Sequence, residues 1–65
     1  MARDPENDDL LDFEGHVEQQ TDLAVLFYVE LTGDEIWFPL SVSKLVDDDT
    51  IIRIPRWLAK KEDLL

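Results

Sequence analysis

The stretch TDLAVLFYVEL, residues 21–31, alternates with period two: Leu23, Val25, Phe27, Val29 and Leu31 share one wholly apolar face, and Asp22, Ala24, Leu26, Tyr28 and Glu30 share the other. That alternation, in residues that favour extended backbone, predicts a strand with one buried face. TGDE, residues 32–35, then supplies turn residues. EIWFPL follows with Ile36, Phe38 and Leu40 alternating against Glu35, Trp37 and Pro39, which predicts a second strand hairpinned onto the first. Pro39 has no N–H to give to a ladder, so this strand is expected to end there or to lie at an edge. SVSKLV, residues 41–46, fits either a helical turn that tucks in Leu45 or the start of a further strand, and DDDT reads as a loop.

TIIRI, residues 50–54, is β-branched and predicts a third strand, stopped by Pro55. Proline suits the first position of a helix, and RWLAKKEDLL places Trp57, Leu58, Lys61, Leu64 and Leu65 on one helical stripe. The expected architecture is a single α+β domain over residues 1–65. Its body, residues 21–65, is a small three-stranded antiparallel sheet with a C-terminal helix.

Residues 1–20 read differently. DPENDDLLDFEGHVE, residues 4–18, holds seven carboxylates and no Lys or Arg. Asp4 could cap a helix whose first residue is Pro5, with Leu10, Phe13, Glu14 and Val17 on one side and Gly15 at its end. Against this, Asp4, Asp8 and Asp12 repel one another at i, i+4 spacing. A short N-terminal helix within residues 5–14 and a disordered acidic tail are the two expectations.

Charge changes the picture most. Residues 1–35 carry Arg3 against eleven acids, whereas residues 36–65 balance Lys44, Arg53, Arg56, Lys60 and Lys61 against five acids, within a total of −10. Such a chain is repelled by nucleic acid and by anionic lipid, so a charged partner should be a basic protein surface. The chain has no cysteine and a single histidine, His16. Disulfide staples and a nucleophilic triad are therefore not expected, and the simpler reading of His16 is a solvated side chain. Asp47, Asp48 and Asp49 lack the alternate spacing, the turn glycine and the closing glutamate of an EF-hand loop. Paired carboxylates could do acid–base chemistry only in a cleft that so small a body has little room for. The expectation is a protein that is not an enzyme and uses no cofactor or metal. With no apolar run of membrane-spanning length and no signal-peptide order at the N-terminus, it is expected in the cytoplasm of a bacterial host cell.

Two features point to binding. Carboxylates four residues apart on a helix rise about 6 Å and alternate residues on a strand about 6.6 Å. Spread over several elements, they could approach the one charge per about 1.7 Å of duplex DNA. The candidate partner-binding residues are Asp8, Asp9, Asp12, Glu14, Glu18, Glu30, Asp34, Glu35, Asp47, Asp48 and Asp49. Trp37 joins them as an aromatic anchor beside acids, against the simpler reading that the N-terminal segment or the C-terminal helix covers it.

EIWFPLS, residues 35–41, followed by TIIRIPRWLAKK, residues 50–61, resembles a group of short proteins encoded by bacteriophages and other mobile elements. Their shared pattern is an acid, a Trp-x-Pro-x-Ser strand end, an acidic loop and a strand leading into Pro-x-Trp-Leu-Ala-x-Lys. The chain departs from it at Leu40, where a lysine is usual, and in KKEDLL, where a glycine often follows the lysines. In size, acidity and phage-like character the chain is similar to small anti-CRISPR proteins, including inhibitors of the type I-C system. That resemblance implies a non-enzymatic inhibitor whose acids imitate phosphates against the DNA-binding surface of a CRISPR effector. The alternative is a structural or accessory phage module that forms a homodimer, its acids serving solubility.

Overall fold

The computed structural model describes residues 10–65. They form five strands and one helix: β1 (Leu10–Gln20), β2 (Ala24–Val29), β3 (Asp34–Pro39), β4 (Lys44–Val46), β5 (Ile51–Pro55) and α1 (Arg56–Lys61). All four strand pairings are antiparallel, in the order β3-β2-β1-β5-β4. The small antiparallel sheet and the C-terminal helix agree with the sequence pattern. The sheet has five strands rather than three, however, and with a single six-residue helix the fold is mostly β.

One extra strand is β4, which settles SVSKLV as a turn followed by a strand. The other is β1, where a helix or a disordered tail was expected. Leu10, Phe13 and Val17 fit a helical stripe, but Leu11, Phe13, Gly15 and Val17 equally fit one face of a strand, with Asp12, Glu14 and His16 on the other. Period two wins because both edges of β1 find partners. The helix start expected at Asp4 and Pro5 lies outside the described residues.

β1 holds the fold together by serving two half-sheets. Its first half pairs with β5, from Leu10 opposite Pro55 to Glu14 opposite Ile51. Its second half pairs with β2 on the opposite edge, from Gly15 opposite Val29 to Gln20 opposite Val25. A bulge between Val17 and Gln19 leaves Glu18 as the extra residue there. The exchange of partners happens at Gly15. A Cβ added at Gly15 would stand 1.6 Å from the Tyr28 carbonyl oxygen and 2.7 Å from Cε2 of Phe27. Only glycine permits that approach, and the Phe27 ring covers the site that a side chain would fill.

The connection from β3 to β4 constrains the shape. Five strands laid flat would separate the outer two by about 19 Å, at roughly 4.8 Å per step. Only Leu40–Ser43 join them, and Pro39 C=O accepts from both Val42 N–H (3.3 Å) and Ser43 N–H (3.1 Å), which folds the link back on itself. The sheet therefore curls, and its inner face becomes the core. Val25, Phe27, Val29, Phe38, Ile52 and Ile54 are fully buried there, with Phe13 nearly so. Each such side chain contributes about 1.5–3 kcal/mol on leaving water. Leu58, Ala59 and Leu64 close the open end. Leu23 and Leu31, counted on the apolar face of the sequence pattern, fall beyond the ends of β2 and are 81% and 69% exposed.

Pro55 precedes α1 in extended conformation (φ −69°, ψ 154°), as its fixed φ allows. Lys60 and Lys61 sit in the last turn, where cations suit the helix dipole. Asp63 N–H then donates to Lys60 C=O (3.1 Å) and Leu64 N–H to Ala59 C=O (2.8 Å), a Schellman closure that turns Leu64 into the core. The helix ends at Lys61, so of the expected stripe only Leu58 is buried within it, while Trp57, Lys61 and Leu65 are exposed. Asp63 occupies the left-handed position with φ 61°, where glycine is the usual residue.

Two outcomes follow from these backbone constraints. Gly15→Ala is expected to abolish the cooperative thermal transition followed by circular dichroism, because the methyl group would overlap backbone that cannot move aside. Asp63→Gly is expected to stabilise the fold by about 1 kcal/mol in urea titration, by relieving the left-handed strain.

Candidate functional site

The two acidic turns, distant in sequence, meet the same dipeptide. Glu30 N–H donates to Glu14 C=O (3.0 Å) and Gly15 N–H donates to Thr50 C=O (2.9 Å). The β2–β3 turn and the β4–β5 turn therefore flank the middle of β1 from its two edges. The first turn carries Glu30 and Asp34 and is closed by Gly33, at φ 72°, whose N–H donates to Val29 C=O (2.8 Å). The second carries Asp47, Asp48 and Asp49. All three aspartates are left-handed, with φ of 57°, 58° and 64°. Consecutive left-handed residues other than glycine are costly, and aspartate is among the few that tolerate the region. The turn is clamped by Thr50, whose hydroxyl (2.6 Å) and N–H (3.2 Å) both donate to Asp47 C=O.

Glu14, Glu30, Asp34, Asp47, Asp48 and Asp49 are exposed, and among the described residues no ion pair engages any of them. The outer face of the sheet adds a second group, in register. Glu35 of β3, Tyr28 of β2 and His16 of β1 lie in one row, and Trp37, Leu26 and Gln19 lie in the next. His16 stacks on Tyr28 with ring centroids 4.9 Å apart and 19° between planes, and its Nε2 lies 2.7 Å from Glu18 Oε2. His16 is exposed, as expected of a solvated side chain, and also takes part in a surface cluster with Tyr28 and Glu18. Trp37 is 46% exposed, so among the described residues neither α1 nor any other element covers it.

Asp12 belongs with neither group. Its carboxylate accepts from Arg53 at two points, Nε to Oδ1 at 2.8 Å and Nη2 to Oδ2 at 3.1 Å. The Arg53 guanidinium, chiefly through this hydrogen bond, holds the Asp12 carboxyl below its ordinary range and raises Arg53. Asp12 is a cross-strand tie between β1 and β5, not a free phosphate mimic. Its arginine, 41 residues away, becomes its neighbour only through the β1–β5 register, which no local pattern shows. Asp8 and Asp9, also named as partner-binding, lie outside the described residues.

Among the described residues no group of three or more His, Cys, Asp or Glu side chains could hold a metal ion. No helix there is long and apolar enough to cross a membrane.

The depressed carboxyl sets a pH dependence. The tie is fully present above the unfolded aspartate value of 3.8 and is lost as pH falls through the lower folded value. Wild type should be somewhat more stable than Asp12→Asn in urea titrations at neutral pH, and the gap should close as pH falls through the lowered Asp12 value. An equal gap at neutral and acid pH would show that the pair contributes through shape alone.

Comparison of this chain with family models, with curated proteins and with solved structures returned no match.

Proposed function

We propose that the protein is a non-enzymatic inhibitor that docks on the basic, nucleic-acid-binding surface of another protein, in the manner of an anti-CRISPR protein against a CRISPR effector. The observation that carries this reading is the attachment of both acidic turns to Glu14–Gly15. It places around the middle of β1 six carboxylates that no ion pair engages among the described residues, and none of the chain's five C-terminal bases lies in those turns. Fixed carboxylates at strand and turn spacing offer a patterned field, whereas a flexible tail offers a diffuse one. Opposed to a basic groove, such a field raises the association rate and makes it sensitive to salt. Tyr28 and Trp37, exposed or half-buried on the outer face, would add apolar contact at the rim.

A second reading has its own observation. β3 is an edge strand, and its exposed Trp37 lies beside Leu26. Pairing of two copies along β3 would bury that patch, with the acids keeping the assembly soluble. Light scattering at two concentrations separates the readings, since an obligate dimer favours the second.

The first reading makes a quantitative claim about charge. Asparagine tolerates the left-handed region as aspartate does, so Asp47→Asn, Asp48→Asn and Asp49→Asn combined should leave the fold intact. The triple variant should associate with a basic DNA-binding partner recovered from bacterial lysate about tenfold more slowly at low salt, with a flatter salt dependence. Binding that neither salt nor competing DNA disturbs would remove the basis for phosphate imitation.

A further inference from the structure

β1 has an open edge. In the β1–β5 ladder the bond from Gly15 N–H to Thr50 C=O sets the phase, so Phe13 and Leu11 turn their backbone groups toward β5. Leu10, Asp12 and Glu14 turn theirs to the other edge. There β2 supplies only the Glu30 N–H to Glu14 C=O, after which the chain leaves through the β2–β3 turn. In the same register Thr32 would stand opposite Asp12, but the turn closed by Gly33 carries it away. The N–H and C=O of Asp12 and the N–H of Glu14 thus have no backbone partner among the described residues. Beside them lies an open depression of about 440 Å³, lined by Asp12, Phe13, Glu14, Glu30 and Leu31.

The geometry points to this edge as a strand-addition site for an extended basic segment of a partner protein. An incoming strand would continue the β2 side of the sheet, exchanging main-chain bonds with Asp12 and Glu14. Its residues opposite Asp12 would project on the outer face beside Glu14 and near Glu30, which calls for Lys or Arg at alternate positions. Phe13 and exposed Leu31, which line the depression, offer apolar cover for the positions between, which turn to the inner face. A second copy of this chain is a poor occupant, because pairing this edge with itself would bring carboxylates of two molecules of charge −10 together. The inference rests on the proposal of a basic partner and adds the manner in which that partner is held.

The test uses the full chain and a seven-residue peptide alternating lysine and valine, blocked at both ends, with two backbone N-methylated forms of equal charge. If the lysine N–H groups face β1, N-methylation at lysine should weaken binding by more than about tenfold, while N-methylation at valine should leave it unchanged. The peptide should also slow hydrogen exchange of the Asp12 and Glu14 amides. Equal binding by all three peptides overturns strand addition while leaving charge-driven docking standing, and no binding by the parent peptide also overturns it. Protection of the Asp12 amide in the free protein would show the edge already occupied by the chain itself or by a second copy, and would overturn the proposal equally.

Discussion

The contact of Gly15 with the Tyr28 carbonyl fixes the rest of the structure. A strand that keeps one neighbour along its whole length builds a flat sheet, and a flat sheet of so few residues cannot enclose a core. By letting the backbones come this close, Gly15 allows β1 to leave β5 and take up β2 on its other edge within one residue. The two half-sheets can then face each other, and the four-residue β3–β4 link becomes long enough to join the outer strands. Phe27, Phe38, Ile52 and Ile54 meet inside as a result. Without cysteine to staple it, a domain of this size depends on such enclosure for its stability.

The same contact organises the charge. The excess of sixteen acids over six bases opposes compaction through self-repulsion, and among the described residues the fold limits it by keeping most carboxylates at turns and on the outward face, where water screens them. Asp12, also on the outward face, is neutralised by Arg53, and a pair so exposed adds little net stability. The left-handed aspartates of the β4–β5 turn add local strain on top of like charge. A turn that combines both is not optimised for stability alone.

Much of the body was legible from alternation. Val25, Phe27 and Val29 against Phe38 gave the β2–β3 hairpin, Pro39 marked its edge, and Pro55 marked the passage from β5 to α1. The first strand was hidden because its apolar positions satisfy both a helical and an extended period, and because its carboxylates suggested a tail. What decides between the periods is the partner on each side, and those partners lie far along the chain. Gly15 looked like a helix terminator for the same reason: a glycine needed for a close approach has no local signature. In the site, the acids and Trp37 could be named from type and exposure alone, but the pairing of Asp12 with Arg53 and the stacking of His16 on Tyr28 depend on register.

The division of β1 between two partners also sets an order of assembly. The β2–β3 hairpin, the β4–β5 hairpin and the β1–β2 pairing join segments close in sequence and need only short loops to close. The β1–β5 pairing joins residues as far apart as Asp12 and Arg53, 41 positions along the chain, so its closure entropy falls due only when the intervening hairpins have shortened the effective loop. Since β5 and the helix emerge from the ribosome after the other strands, the nascent chain carries a half-built sheet until they appear. During that interval the first half of β1 has both edges unpaired, and the dense negative charge around it guards the exposed backbone against pairing with a neighbouring copy.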